Sequence, residues 1–226
     1  SSYYSGKEIP DYVTVNEYNE KGFCFRTNGY DGNDQLTYYS LFTYDERGKC
    51  VKETRYTSED ILSFEIEYNG KGDQTKTTYY TDDGALDWYI TSEYDENGSR
   101  TKTISYRADG TRREVAEYVE DYTCVKRSNY DENDQLESYM EYEYGDTGYM
   151  EKVSYYLADG TLDRYVSYAY DKKGNCTKES NYDKNGKLSD YVVREYNDKN
   201  KETKTSYYDA DGTLTQYGEW QYDGKG

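Results

Sequence analysis

The chain has 226 residues, 34 of them tyrosine, with no histidine, a single proline and a formal net charge of -18. That charge disfavours nucleic acid and anionic membranes as partners of the whole surface. No stretch approaches the ~20 apolar residues of a membrane-spanning helix, and the missing histidine removes the commonest general base and metal ligand. A mean hydropathy of -1.27 with 33% charged residues would by itself read as disorder. Tyrosine changes that reading, because each ring can bury ~150–250 Å² while its hydroxyl stays wet.

Taken in chain order, residues 1–17 form a half-unit that holds Pro10, expected as a frayed or capping strand. From there tyrosine recurs at 18, 30, 44, 56, 68, 80, 94, 106, 118, 130, 144, 156, 170, 182, 196, 208 and 222. The steps alternate between 14 and 12 residues, and two long steps, Tyr56 to Tyr68 and Tyr106 to Tyr118, shrink to 12. The repeat is therefore ~26 residues long, a short half and a long half, with repeats opening at Tyr18, Tyr44, Tyr68, Tyr94, Tyr118, Tyr144, Tyr170 and Tyr196. No linker divides them, so residues 1–226 read as one repeat array. Two irregular places are candidate kinks or bulges: Ser58-Glu59-Asp60, in a shortened half, and Asp121-Tyr122, where the turn lacks glycine. The chain opens on Ser1 and stops just after a repeat turn, as a trimmed piece would, with any signal or anchor outside it.

Each ladder tyrosine is followed by turn chemistry. Four residues on stands a glycine, as at Gly98 and Gly174, or its substitutes Asp34, Asp60, Asp134 and Asn200; these are the residue types that tolerate positive φ. One residue on is usually Asp or Asn, as at Asp31, Asp95 and Asp171, whose side chain can bond the backbone two residues later. Eight to ten residues rich in Thr, Tyr and Val remain between turns, which suits a strand. Strands joined so tightly must be antiparallel. The reading is an all-β protein: tandem ~26-residue β-hairpin repeats, roughly seventeen strands, in one long twisted or curved meander sheet. Open sheets beyond ~10 strands usually curl or split, so a spiral or partly closed barrel is the alternative. Unprotected sheet ends make end-to-end self-association an expectation.

Every tyrosine step is an even number. If each turn carries one bulged residue, as three-residue hairpin loops with a left-handed glycine do, even-numbered residues share one face. Even positions hold 23 of the 34 tyrosines, all four cysteines, Trp88, Trp220 and the recurrent leucines Leu36, Leu62, Leu86, Leu136, Leu162, Leu188 and Leu214. The even face is thus expected to be the packed one. Odd positions carry a second tyrosine row: Tyr39, Tyr89, Tyr139, Tyr165, Tyr191 and Tyr217.

The candidate site is a basic row. Eight residues after each repeat-opening tyrosine stands Arg26, Lys52, Lys76, Lys102, Lys126, Lys152, Lys178 or Lys204. On alternate strands ~9.6 Å apart these would form a line of cations on an acidic protein. Each stem can lie on neighbouring rings and pair with a carboxylate, which makes the row sheet cement. Alternatively the row binds a repetitive anionic polymer or an acidic partner. The odd tyrosine row and the two tryptophans invite stacking on sugars, set against the simpler role of cross-strand aromatic pairs.

Cys24, Cys50, Cys124 and Cys176 match no zinc spacing and are expected to be unpaired, buried thiols, since an intervening strand separates equivalent sites. Asp82-Asp83-Gly84 and Asp209-Ala210-Asp211-Gly212 look faintly like calcium loops but lack the spacing of an EF-hand. No Gly-x-Ser-x-Gly or phosphate loop is present, so neither catalysis nor a cofactor is expected.

The string Tyr168-Ala169-Tyr170-Asp171-Lys172-Lys173-Gly174-Asn175 resembles the Tyr-x-Tyr-Asp-x-x-Gly-Arg/Asn signature of YD repeats, the RHS-type repeats of bacterial surface and toxin proteins. Tyr142-Glu143-Tyr144-Gly145-Asp146-Thr147-Gly148 is a looser match. The resemblance implies a large, secreted or surface-exposed bacterial protein whose repeats form β-sheet shells or spirals. The unit here is longer, and the chain is short for a closed shell. Tyr207-Tyr208-Asp209-Ala210-Asp211-Gly212-Thr213-Leu214 resembles the hairpin of cell-wall-binding repeats. Those need a Gly-Trp pair per unit, whereas Trp88 and Trp220 do not follow glycine, which argues against choline-type recognition. The expected function is a non-enzymatic surface or secreted spacer or adhesion platform, with a polysaccharide or a cell-surface protein as partner. The alternatives are a glycan- or cell-wall-binding module using the Tyr/Lys face, and a fragment of a toxin-associated shell.

Overall fold

A computed structural model describes residues 12–120 and 123–222. Residues 1–11 of the N-terminal half-unit, with Pro10, together with Asp121-Tyr122 and the final Gly226 lie outside the described residues. The chain divides into two compact bodies, Ser1–Arg113 and Glu114–Gly226, each treated by itself below.

The first body holds β1 (Tyr12–Tyr18), β2 (Cys24–Asp31), β3 (Leu36–Tyr44), β4 (Cys50–Thr57), β5 (Leu62–Tyr68), β6 (Gln74–Tyr80), β7 (Leu86–Tyr94) and β8 (Arg100–Arg107). The second holds β9 (Arg112–Val119, paired from Glu114 onward), β10 (Thr123–Tyr130), β11 (Leu136–Tyr144), β12 (Met150–Leu157), β13 (Leu162–Tyr170), β14 (Cys176–Asp183), β15 (Leu188–Tyr196), β16 (Glu202–Asp209) and β17 (Leu214–Glu219). Within each body every strand pairs antiparallel with its successor in sequence. Among the described residues a strand touches only its sequence neighbours within the body. The fold is therefore all-β, tandem hairpins in an antiparallel meander, not closed into a barrel.

The turns follow from the residues read above. At Tyr94, the Gly98 amide donates to the Asp95 carbonyl at 3.1 Å and the Asp95 amide to the Ser99 carbonyl at 2.9 Å. This is a type I turn closed by a left-handed residue, with φ of 89° at Gly98. Asp34, Asp60, Asp134 and Asn200 take the same place with φ between 59° and 62°. The Asp95 carboxylate accepts from the amides of Asn97 and Ser99, both at 2.9 Å. Asp31, Asp45, Asp131, Asp171 and Asp183 repeat that pattern. The shortened half at Ser58-Glu59-Asp60 is no kink. Its turn keeps the common form, Tyr56 still pairs with Leu62, and the two missing residues come out of strand β5.

The facing expectation is overturned. Each hairpin carries a second bulge beyond the turn: Tyr94 pairs with Arg100, but Glu93 pairs with Lys102, leaving Thr101 over. The same shift occurs at every hairpin within the two bodies, always seven residues after the ladder tyrosine. Cross-strand partners therefore join an odd to an even residue, and parity flips from strand to strand. Threonine often fills the extra position and donates to the partner strand: Thr37 to the Gly29 carbonyl at 3.0 Å, Thr177 to Ala169 at 3.2 Å, Thr215 to Tyr207 at 3.1 Å. The carbonyl at the bulge is taken by a repeat-opening tyrosine twenty residues later. Tyr44 donates to Cys24 at 2.6 Å, Tyr144 to Cys124 at 2.8 Å and Tyr196 to Cys176 at 2.9 Å.

The even-numbered set thus splits between two faces. The cysteines, Trp88 and the repeat-opening tyrosines lie on one, the ladder face. The cation row lies on the other, with the odd tyrosine row, with Tyr56, Tyr106, Tyr156, Tyr182 and Tyr208, and with the leucines, which pair directly with tyrosines of that face, as Leu62 does with Tyr56 and Leu188 with Tyr182. Neither face is a conventional core. Among the described residues the buried apolar side chains are Val115, Ala116, Val153, Val166 and Val192, while Ser40, Ser154, Ser180 and Ser206 are just as deeply covered. At Gly29 the ring of Tyr38 fills the place a Cβ would take, and Arg55 reaches Ser40, its Nε donating to the hydroxyl at 3.0 Å.

Candidate binding face

The cation face is built from two offsets fixed by the register. Direct cross-strand pairing puts each odd tyrosine against the tyrosine 17 residues later. The rings stack: Tyr39 on Tyr56 at 5.0 Å between centroids, Tyr89 on Tyr106 at 4.6 Å, Tyr139 on Tyr156 at 4.7 Å, Tyr165 on Tyr182 at 4.5 Å and Tyr191 on Tyr208 at 4.7 Å. The strand on the other side supplies a cation 13 residues earlier. Arg26 lies over Tyr39 at 4.2 Å, Lys76 over Tyr89 at 4.8 Å, Lys126 over Tyr139 at 4.3 Å, Lys152 over Tyr165 at 5.3 Å, Lys178 over Tyr191 at 4.3 Å and Lys204 over Tyr217 at 5.5 Å. Where the tyrosine is missing the pattern breaks: Lys52 meets Glu65 instead, at 2.6 Å, and the residue 13 positions after Lys102 in the sequence is Val115.

Carboxylates neutralise much of the row. Arg26 faces Glu17 at 3.7 Å, Lys126 Glu141 at 3.6 Å, Lys152 Glu143 at 2.7 Å and Lys204 Glu219 at 3.1 Å. The Glu143 hydrogen bond holds the Lys152 ammonium above its usual pKa, as Glu219 does for Lys204. At Glu65, burial pushes the carboxyl up, but the hydrogen bonds from Lys52 and Tyr80 outweigh it and the pKa ends low. Among the described residues Lys76, Lys102 and Lys178 have no carboxylate in ion-pair range.

The structure therefore brings the row and the odd tyrosines together, on a face that sequence parity had divided. It also uses both sides of the odd rings, since cation and stacked partner come from opposite neighbouring strands. The hydroxyl of Tyr39 donates to Asp60 at 2.8 Å, which raises the phenol's pKa. The hydroxyls of Tyr139, Tyr165 and Tyr191 reach the turn glycines 21 residues on, Gly160, Gly186 and Gly212. Tyr217, with no partner strand beyond it among the described residues, is 59% exposed. The tryptophans do not join this face: Trp88 stacks on Tyr79 on the ladder face at 4.2 Å, and Trp220 follows β17, folded against Gly218.

The four cysteines are free and half-buried beside the repeat-opening tyrosines. Burial pushes the thiols of Cys50, Cys124 and Cys176 up. The carboxylates of the calcium-like loops are engaged by their own turns, Asp211 with the amide and hydroxyl of Thr213 at 2.9 and 2.6 Å. Among the described residues no cluster of three or more His, Cys, Asp or Glu could hold a metal ion. Recesses are shallow gaps between successive turns, such as one of about 580 Å³ lined by Asn19, Phe23, Phe42 and Tyr44.

No family model and no curated protein matches the chain. Likenesses to solved structures are weak and partial. A porin-like protein from Bacteroides uniformis is 9% identical, with 93% of this chain and 97% of that chain covered and a TM-score of 0.32. A TcdB2-TccC3-TEV structure is 11% identical over 91% of this chain and 15% of that chain, with a TM-score of 0.22. S. aureus TarM in complex with fondaparinux and UDP is 11% identical over 46% of this chain, with a TM-score of 0.27. The chain spans 21% of the length of that TarM structure.

Proposed function

We propose that this chain is a non-enzymatic structural repeat protein, a spacer or adhesion platform displayed on a bacterial surface or secreted. One observation carries the reading. The side chains that could have formed a site are spent on one another, ring on ring and cation on ring, at the same offsets in repeat after repeat. Such a face resists unfolding locally and presents a uniform, half-wet aromatic surface. The residue-level resemblance to YD repeats supports the surface or secreted setting.

A second reading has its own observation. Lys76, Lys102 and Lys178 keep a charge that no described carboxylate neutralises, and an anionic cell-wall or host polysaccharide could be held there. The test is retention of the purified protein on peptidoglycan, teichoic acid and host glycans, beside a Lys76→Glu, Lys102→Glu, Lys178→Glu variant. These three changes break no described ion pair but remove the Lys76–Tyr89 and Lys178–Tyr191 ring contacts, so circular dichroism must show the variant folded before retention is read. Equal or absent retention in both proteins supports the platform without a cationic site. Retention that the folded variant loses overturns that reading in favour of the polymer site.

A further inference from the structure

The described residues contain no disulfide, since all four thiols are free, and each body is a single layer with few buried apolar groups. What recurs instead is a pair of phenols held face to face across neighbouring strands. Five such pairs share the 17-residue offset, with centroids 4.5–5.0 Å apart and planes within 8–18°. In each, the two residues are direct cross-strand partners, so the backbone fixes their approach. The rings are half-buried rather than enclosed, and a small oxidant can reach their edges. The inventory of competing reductants is short: four cysteines, two methionines and two tryptophans against 34 tyrosines.

We propose that these stacked pairs are sites of oxidative cross-linking, with Tyr165 joined to Tyr182, and likewise the other four pairs, as dityrosine by a peroxidase acting with hydrogen peroxide. Each phenol gives up one electron and its hydroxyl proton to become a neutral phenoxyl radical, whose unpaired spin lies partly on the ring carbons ortho to oxygen. The two radicals combine through a new carbon–carbon bond between ortho carbons. Each of those carbons then passes its hydrogen to the phenol oxygen, restoring both aromatic rings. The pair loses two hydrogen atoms in all, and they reduce one hydrogen peroxide to two waters. The cation over the outer face of each odd ring disfavours a positively charged radical and so favours the neutral species that couples. The bond would tie neighbouring strands where the sheet has no other covalent link. The proposal does not depend on the face binding anything.

The test treats dilute protein with a peroxidase and hydrogen peroxide, isolates the monomer, and maps cross-linked peptides by mass spectrometry alongside dityrosine fluorescence. The expected result is intrachain links at Tyr39–Tyr56, Tyr89–Tyr106, Tyr139–Tyr156, Tyr165–Tyr182 and Tyr191–Tyr208. Tyr182→Phe keeps a ring in the stack but has no phenol, and should lose the Tyr165 link alone. Replacing Tyr56, Tyr106, Tyr156, Tyr182 and Tyr208 by Phe should abolish these five links and cut the monomer signal to what other stacked phenols, such as Tyr149 and Tyr170, supply. Monomer without these links, an unchanged yield in the five-fold variant, or coupling confined to oligomers through exposed Tyr18, Tyr149, Tyr217 and Tyr222 would overturn the proposal.

Discussion

Gly98 and Gly174 hold equivalent turn positions with nearly equal backbone, φ of 89° and 85°, yet they should tolerate alanine differently. At Gly98 an added Cβ meets nothing within 4 Å. The cost of Gly98→Ala is then the left-handed backbone penalty, ~1–2 kcal/mol. At Gly174 the same Cβ falls on the hydroxyl and ring of Tyr149. That ring stacks on Tyr170 with centroids 5.0 Å apart. Tyr149 can swing away, but only by giving up the stack, a further ~0.5–1.5 kcal/mol. Gly174→Ala should therefore cost ~1.5–3.5 kcal/mol, about 1 kcal/mol more than its counterpart. Native-state hydrogen exchange of the turn amides reads this locally, because the Gly98 and Gly174 amides each donate to an aspartate carbonyl at 3.1 Å. Repeating Gly174→Ala in a Tyr149→Ala background should erase the difference. Equal costs in the parent protein, or an excess that survives removal of the ring, would refute the argument.

Three further outcomes follow from the same contacts. Tyr196→Phe leaves the Cys176 carbonyl at the bulge without its donor and should destabilise by about 1 kcal/mol in urea titration; no change would mean that water replaces the hydroxyl freely. At the acid end, backbone hydrogen bonds hold Asp31 and Asp183 below the usual carboxylate value, and Asp171 is held low by the Asn175 side chain and then by backbone amides. Their stabilisation is complete above the unfolded value and is lost as pH falls through the lowered ones, so Tm should drop below about pH 4, and Asp171→Asn should flatten that drop. At the alkaline end, burial and then the Glu65 hydrogen bond raise Tyr80 to about 12, and burial raises Tyr68, Tyr142 and Tyr168. That stabilisation is full below the unfolded value near 10 and fades as pH climbs towards the raised ones. Tyrosinate absorbance and circular dichroism should therefore change together above pH 10, and smooth titration at the ordinary value with the sheet intact would contradict it.

Most of the fold was legible because it is written in local chemistry. Glycine, Asp or Asn four residues after each tyrosine forces the left-handed closure, and an Asp one residue after it organises the turn. Those two signals place the strands. The facing of side chains was not legible, because it depends on the bulge at the seventh residue after each tyrosine, a property of the paired register. Glu151 and Asp163 occupy that position as readily as Thr101 does. A partial signal existed, in the threonines at 37, 75, 101, 177, 203 and 215, each bonded to the opposite strand. Read as bulge markers, they would have flipped parity between strands and put Lys178 beside Tyr191 from the start. The shared face of cations and stacked rings is the part of the site that only the register reveals.

The most direct test of that shared face is a set of nuclear Overhauser contacts around Tyr191. The structure predicts cross-peaks from its ring to the Lys178 side chain and to the Tyr208 ring. Cross-peaks from Lys178 to Val192 or Arg194, with none to Tyr191, would mean that parity runs unbroken across the strands and that the cation face does not exist as described.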